Sequence, residues 1–209
     1  MKILYASIKF KFNEKKLLEK LKEFKNDFIA TNAQYSFIIK NFKNAGLVLG
    51  CNTNSLNDFS GKKIIFVGDG EFHALIIKKN FIEKKVFVLN PKSLKLKEIT
   101  LKEVYKFKSR EAVAFEKLKE SKKIGIIISS KKGQERIKIA IKIKDLLEKK
   151  GKKAYLFISD MINPDEFMNF KGLDVLVNTA CPRLALDDYS KFNIPIINYE
   201  LLTEYFNER

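Results

Sequence analysis

The sequence is poor in the residue types on which several classes of functional site depend. Its 209 residues include only two cysteines and one histidine, and no tryptophan. Two cysteines that form no Cys-x-x-Cys pair exclude a disulfide scaffold and a paired-cysteine zinc site. A single histidine nearly excludes the zinc hydrolases and any histidine-based triad that does not use it. Chemistry based on sulfur or imidazole is therefore confined to Cys51, Cys181 and His73.

Long apolar runs are also missing. No stretch approaches the roughly 18 uninterrupted apolar residues of a membrane span, and the N-terminus has too short an apolar run for a signal peptide. Glycine and proline are few, at nine and four, while hydrophobic residues make up 45% of the chain. This composition is typical of a folded globular protein. We expect a soluble, cytoplasmic protein with one large domain or two small ones.

Acidic residues are outnumbered by basic ones. The 41 lysines and arginines exceed the 25 acidic residues and give a formal net charge of +16. Such an excess would favour nucleic acid, an acidic protein or an anionic substrate as a partner. The charge is mostly lysine spread over nearly every polar face, and solvation explains this more simply than a nucleic-acid groove. We expect no membrane binding, and a basic nucleic-acid-binding protein stays a minor alternative.

Apolar, β-branched runs alternate with amphipathic segments along the whole chain, which is typical of βαβ units and a mainly parallel sheet. We predict an α/β fold with two similar domains, residues 1–100 and 101–209, divided near residues 92–108. Strands are predicted over the apolar runs 1–10, 28–30, 63–67, 86–90, 124–129, 153–158, 174–178 and from 195 onward. Helices are predicted over the amphipathic segments 14–26, 34–42, 73–79, 109–120 and 133–149, after Pro164 and toward residue 206.

The two halves of the chain are weakly alike. In each half a strand leads into a small polar segment and a helix, at residues 31–34 and 129–134. Each half then has a further strand whose carboxyl end carries a polar loop, at residues 68–73 and 179–183. Because α/β proteins place ligands at the carboxyl ends of parallel strands, we expect a duplicated βαβ unit with its site between the copies.

The two cysteines and the histidine each have more than one interpretation. Cys181 directly follows a predicted buried strand, in a loop with Arg183, and such a cysteine is most often a small buried hydrophobe. Cys51 lies in a loop of glycine and asparagine, which is less typical of a core position. His73 starts a predicted helix, where packing and contact with a ligand are equally open.

Two glycine-containing segments are weak indications of a ligand site. Residues 68–70, Gly-Asp-Gly, would let backbone amides approach a ligand, but they lack the third glycine of a dinucleotide motif. Gly133 and Gln134 are predicted to start a helix, whose N–H groups would face a carboxylate or phosphate.

Taken together, four segments are specific in order and spacing. They are LGCN at 49–52, IFVGDGEFHAL at 65–75, SSKKGQ at 129–134 and VNTACPRLALDD at 177–188. They closely resemble the archaeal-type diphthamide synthase, 2-(3-amino-3-carboxypropyl)histidine synthase, a noncanonical radical SAM family. The resemblance covers essentially the whole chain, and the ACPR segment with its acidic pair is the most specific part.

The resemblance implies a three-domain protein in which each domain gives one cysteine to a central [4Fe–4S] cluster. This sequence begins where the family's second domain begins, so it has the middle and last cysteines, Cys51 and Cys181, and lacks the first. The resemblance also implies a pocket for S-adenosyl-L-methionine (SAM), for which the matching loop residues are Gly68, Asp69, Gly70, His73, Ser129, Gly133 and Gln134, with Asp187 and Asp188 nearby. Catalytic residues stay unassigned.

In the family, SAM binds the open iron, and the reduced cluster cleaves the bond between its sulfur and methionine Cγ. The resulting 3-amino-3-carboxypropyl radical adds to a histidine of translation elongation factor 2. We therefore expect part of a split transferase, completed by a separate polypeptide with the first domain and its cysteine. The alternative is a noncatalytic subunit that docks on a complete synthase. Homo-oligomerisation is open.

Overall fold

The computed structural model describes residues 11–186, 188–202 and 206. The predicted strand over residues 1–10 lies outside them. The chain divides into two compact units, residues 1–105 and 106–209. Among the described residues, no helix has the length and apolar character needed to cross a membrane.

From residue 11 onward, the first unit forms one sheet of five strands in the order β2-β1-β3-β4-β5. All neighbours are parallel except β5, which runs antiparallel to β4. The strands are β1 (Phe28–Thr31), β2 (Ala45–Leu47), β3 (Lys63–Val67), β4 (Lys85–Leu89) and β5 (Leu96–Ile99). The helices are α1 (Glu14–Lys22), α2 (Phe72–Asn80) and two 3₁₀ helices, Ala33–Asn41 and Asn54–Leu56.

The core of the first unit lies on both faces of this sheet because β3 is apolar on each side. Ile64 and Phe66 pack in one cluster with α2, and Ile65 and Val67 pack in the other with α1. All four side chains are at most 1% exposed. Each such burial stabilises the fold by about 1.5–3 kcal/mol, which is why this apolar run predicts a strand so clearly.

The second unit contains a fully parallel sheet of four strands in the order β7-β6-β8-β9. The strands are β6 (Lys123–Ser129), β7 (Lys153–Ser159), β8 (Val175–Asn178) and β9 (Ile196–Asn198). The helices are α3 (Leu101–Glu120), which begins just before the unit, α4 (Ile137–Lys149), α5 (Arg183–Leu186) and three 3₁₀ helices, Pro164–Asn169, Tyr189–Lys191 and Tyr199–Leu201. Apolar clusters cover both faces of this sheet as well.

The two sheets confirm the predicted α/β class with mainly parallel strands. The first four described strands of each unit also share one order: the first lies between the second and the third, and the fourth lies beyond the third. A threonine hydroxyl joins the first and third strands in each unit. Thr31 Oγ1 donates to Val67 O at 3.1 Å, and Thr179 Oγ1 donates to Ile127 O at 2.8 Å. Origin of the two units by duplication stays a prediction.

Helix α3 differs from the prediction because it begins at Leu101 and not near residue 109. Glu103 explains the earlier start, since its Oε2 accepts hydrogen bonds from Thr100 N at 2.7 Å and Thr100 Oγ1 at 3.0 Å. A glutamate three residues after the capping threonine is the arrangement of a capping box. The Lys97 ammonium, 3.0 Å from Glu103 Oε1, adds an ion pair.

Candidate functional site

The loop of Cys181 lies at the carboxyl edge of the second sheet, directly after β8. The two residues between β8 and this cysteine are buried, with Thr179 0% and Ala180 1% exposed, whereas Cys181 itself is half-buried. A buried backbone must have its polar groups hydrogen-bonded. The backbone carbonyls of residues 179–182 all meet this requirement through side chains of the same unit.

Arg136 binds the first two of these carbonyls. Its Nη1 donates to Thr179 O at 3.0 Å and to Ala180 O at 2.6 Å. The guanidinium carbon also lies 5.8 Å from the centre of the Tyr199 ring. Hydrogen bonds from a charged donor contribute about 1.5–3 kcal/mol each, so Arg136 is a strong link between the start of α4 and the loop.

Two asparagines bind the other two carbonyls. Asn178 Nδ2 donates to Cys181 O at 2.9 Å and to Asn198 Oδ1 at 2.7 Å, while Asn178 Oδ1 accepts from Ala180 N at 3.0 Å. Asn198 Nδ2 donates to Pro182 O at 3.2 Å. Both asparagine side chains are buried. Together with Arg136 they form what we call the carbonyl clamp: Arg136, Asn178 and Asn198 on residues 179–182.

The loop of Cys51 is built differently, at the carboxyl end of β2 in the first unit. Residues 49–52 form a tight turn in which Asn52 N donates to Leu49 O at 3.1 Å. Gly50 has a φ of +61°, which a side chain disfavours. Asn52 Oδ1 accepts from Asn54 N at 2.9 Å and so joins the turn to the next 3₁₀ helix. Cys51 is exposed at the tip of this turn.

The loop after β3 lies at the same edge of the first sheet as the Cys51 turn, because β1, β2 and β3 are parallel. Gly68 is buried against the Phe66 ring, and a Cβ at this position would lie 2.5 Å from that ring. Asp69 and Gly70 are exposed. The glycine at 68 is therefore required by packing, while the loop tip is open to solvent.

His73 is the second residue of α2 and is held by aromatic rings. It stacks on Phe66 with ring centres 5.2 Å apart and meets the edge of Phe72 at 5.1 Å. These contacts are those that the packing interpretation predicts. Contact between His73 and a ligand stays a prediction.

Tyr35 is a polar residue at this edge that sequence reasoning missed. Its side chain is 1% exposed, and its hydroxyl has no hydrogen-bond partner among the described residues. Burial, and secondly the negative charge of Asp69, raise the pKa of Tyr35. The helix predicted over 34–42 includes this tyrosine, but nothing in the sequence of that segment indicates a buried, unpaired hydroxyl.

The segment after β6 corrects one prediction. Gly133 does not open a helix: it lies in a turn with a φ of +87°, and α4 begins at Ile137. Gln134 N donates to Lys131 O at 2.9 Å within that turn. Ser129 is buried at the end of β6, where its Oγ accepts from Lys131 N at 3.1 Å. The predicted helix start at Gly133 is wrong because the chain first makes a hydrogen-bonded turn.

The acidic pair is described in part. Asp187 lies outside the described residues. Asp188 N donates to Arg183 O at 3.2 Å, and its carboxylate pairs with Lys191 at 2.6 Å. Arg183 is exposed at the start of α5. Asp188 therefore lies between α5 and the next 3₁₀ helix, at the N-cap position of the latter.

A separate cleft of about 590 Å³ runs along the edge of β9 in the second unit. Ile196 and Ile197 both line it although they belong to apolar clusters on opposite faces of the sheet. Arg110 of α3 lies against it, 4.0 Å from the centre of the Tyr189 ring. Among the residues that the structure describes, none of the predicted site residues lines this cleft.

Both cysteines lie outside any disulfide. In residues 11–186, 188–202 and 206, no group of three or more His, Cys, Asp and Glu side chains is close enough to hold a metal ion. The thiols of Cys51 and Cys181 fit an iron–sulfur cluster by donor type, one from each unit. Since the sequence has no third cysteine, a three-thiolate site needs one ligand from outside it.

Comparisons with known proteins agree with the resemblance. Residues 2–205 match the model of the diphthamide synthesis protein family. The chain is 36% identical to the 2-(3-amino-3-carboxypropyl)histidine synthase of Methanocaldococcus jannaschii, over 91% of this chain and 57% of the relative. It is 28% identical to subunit 1 of the same synthase from Kluyveromyces lactis, over 78% of this chain and 39% of the relative.

Two solved structures of Dph2 from Pyrococcus horikoshii also match. One has a TM-score of 0.72 at 27% identity. The other, which contains a 4Fe-4S cluster, has a TM-score of 0.71 at 28% identity. Each match covers 92% of this chain and 63% of Dph2. The chain thus spans less than two thirds of the length of these relatives.

Proposed function

Because this chain belongs to the diphthamide synthesis protein family, we propose that it forms two cluster-binding domains of a 2-(3-amino-3-carboxypropyl)histidine synthase. The enzyme would transfer a 3-amino-3-carboxypropyl group from SAM to a histidine of translation elongation factor 2, in the cytoplasm, as the first step of diphthamide biosynthesis. The observation that carries the proposal is the Cys181 loop, where a half-buried thiol follows a parallel strand and its backbone is held by the carbonyl clamp.

Cys51 and Cys181 would hold the [4Fe–4S] cluster as thiolates. When reduced by an external one-electron donor, the bound cluster supplies cleavage of the bond between sulfur and Cγ of SAM. The residues of this chain bind and orient. The loops 68–73 and 129–134, with Asp187 and Asp188, would line the SAM pocket, and the exposed backbone at Asp69 and Gly70 leaves room for a ligand at the loop tip.

The third thiolate would come from a separate polypeptide that carries the family's first domain. The proposal is supported by the two cysteines of this sequence, which are one thiolate short of a three-thiolate site. Three thiolates leave one iron of the cluster open for SAM. The chain would then be active only as part of a complex.

A noncatalytic partner subunit is the second candidate. The specific observation in its favour is the relative from Kluyveromyces lactis, whose name, subunit 1, denotes a synthase of more than one chain. In this case the chain would support a complete synthase without holding the cluster through its own cysteines.

Anaerobic iron–sulfur reconstitution separates the two candidates. The chain is reconstituted alone and co-expressed with a first-domain polypeptide, and methylthioadenosine formation from SAM is measured after reduction. We expect product only from the pair, and loss of product in Cys51→Ala and in Cys181→Ala. Lys138→Ala, an exposed position of α4, is the control and should keep full activity.

The outcomes are distinct. Full activity of both cysteine variants in the pair would establish the noncatalytic subunit. Absence of a cluster and of product in the wild-type pair would contradict the split enzyme.

A further inference from the structure

We propose that Arg136 is a positioning residue that holds the Cys181 loop in its iron-binding conformation before any metal arrives. The inference rests on the proposed function of Cys181 as a cluster ligand. Arg136 itself would touch neither the cluster nor the substrate. It would act through the backbone carbonyls of Thr179 and Ala180, the two residues that precede the thiol.

The Arg136 side chain does not stabilise the start of its own helix. It occupies the N-cap position of α4, and its side chain makes no capping hydrogen bond there. Asparagine, aspartate, serine and threonine are the favoured N-cap residues, and a positive charge near the positive end of a helix dipole is unfavourable. The hydrogen bonds of this side chain go instead to the loop 43 and 44 residues further along the chain.

The geometry of these bonds fixes the peptide planes on the amino side of Cys181. One guanidinium nitrogen reaches two successive carbonyls, so both C=O groups must point toward Arg136. Because the peptide group is planar and trans, the N–H of Cys181 then points away from Arg136. On the carboxyl side, Pro182 restricts the backbone of Cys181 to extended conformations.

A ligand loop that is ordered in advance binds metal with a smaller entropy loss. Asn178 and Asn198 fix the carbonyls of residues 181 and 182, and they are buried in the same unit. Arg136 is the only charged member of the clamp, and it lies at the start of α4. Its removal should therefore loosen the loop while β6 and β8 keep their pairing.

Hydrogen–deuterium exchange of the full chain without metal tests this directly. The variants are Arg136→Met, which keeps an apolar stem without donors, Arg136→Lys, and Lys138→Ala as the control. We expect the amides of residues 180, 181, 183 and 184 to exchange at least about tenfold faster in Arg136→Met, because each tenfold factor corresponds to about 1.4 kcal/mol. Arg136→Lys should recover part of the protection, since an ammonium can donate to the same carbonyls.

Unchanged exchange at residues 180–184 in Arg136→Met would overturn the proposal, because packing of the stem alone would then hold the loop. Equal acceleration in β6 would also overturn it, since that result indicates a general structural role. Retention of iron by the reconstituted pair is a second readout, expected to fall in Arg136→Met. If the loop amides exchange faster in Arg136→Met but the wild-type pair binds no iron, the proposed function is contradicted. The role of Arg136 in ordering the loop would still hold.

Discussion

The two loops that carry Cys181 and Cys51 are held by different kinds of contact. The Cys181 loop is held by side chains from three separate elements, which bind four consecutive carbonyls. The Cys51 loop is a turn in which Asn52 N donates to Leu49 O and Gly50 has a positive φ. One thiol is therefore presented by a rigid loop and the other by an exposed turn.

Burial explains the difference. Residues 179 and 180 are enclosed, so their carbonyls must find partners in the protein. The turn at residues 49–52 is open to solvent, and water can satisfy its polar groups. If both cysteines bind one cluster, the Cys181 loop would provide a prearranged ligand, and the Cys51 turn would adapt to it.

The largest effect should come from Asn178, the more deeply buried asparagine of the clamp. Asn178→Leu removes the side-chain partners of Ala180 N and Asn198 Oδ1, and one of the two donors to Cys181 O, which keeps its hydrogen bond from Leu184 N. Leaving buried polar groups unpaired costs about 1–3 kcal/mol each, so we expect the free energy of unfolding to fall by about 3 kcal/mol or more in urea titrations.

The matched change in the other loop is Asn52→Ala. It removes one exposed hydrogen bond to Asn54 N and should cost about 0.5 kcal/mol. Equal losses in the two variants would remove the distinction between a rigid and an adaptable loop.

The next effect concerns the backbone of the Cys51 turn. Gly50→Ala places a side chain at a φ of +61°, although the new Cβ would meet no atom within 4 Å. The expected cost of about 1–2 kcal/mol is purely conformational. Gly70→Ala is the control, because that position is open and has no positive φ, and it should leave the melting temperature unchanged. A neutral Gly50→Ala would show that the turn is not held in this conformation.

A third change tests whether the sheet can be weakened without loosening the clamp. Asp174 precedes β8, at the end opposite to Cys181, and its Oδ2 accepts from Lys122 N and Lys123 N at 2.8 Å each. The hydrogen bond from Lys123 N lowers the pKa of Asp174 most strongly, and the bond from Lys122 N lowers it further. Burial raises this pKa, but by less than the other causes together lower it. Asp174→Asn should cost about 1 kcal/mol at pH 7.

The pH dependence of this effect follows from the lowered pKa. The carboxylate stabilises the fold above its unfolded pKa of about 4, and that contribution is lost as the pH falls through the lower folded pKa. The difference in unfolding free energy between wild type and Asp174→Asn should therefore shrink below about pH 4. In Asp174→Asn, the exchange rate of the amides at residues 180, 181, 183 and 184, relative to that of β6, should stay unchanged. Faster exchange confined to this loop would show that the sheet cannot be weakened without loosening the clamp.

Sequence patterns predict those parts of the molecule that are buried on two sides. The strand over residues 63–67 matches β3, and the run 124–129 matches β6 within one residue. Short strands such as β2 and β5 escaped prediction because they have three and four residues and few buried side chains. The earlier start of α3 depends on the local hydrogen bonds of Glu103, which a hydrophobic pattern does not show.

The sequence predicts which side chains the candidate site uses, but not the contacts that hold them in place. The position of Cys181 after an apolar strand is visible in the sequence, and so is its Pro-Arg continuation. The carbonyl clamp is not, because Arg136 contacts carbonyls 43 and 44 residues away and Asn198 contacts one 16 residues away. Such contacts between a side chain and a distant backbone leave no periodic signal.

The central claim is that Cys51 and Cys181 bind one cluster, and iron content tests it most directly. Wild type, Cys51→Ser, Cys181→Ser and the double variant are each reconstituted anaerobically with the first-domain polypeptide, and iron and sulfide are measured after desalting. We predict about four irons per wild-type complex and loss of most of them in each single variant. Wild-type iron content in both single variants would contradict the claim.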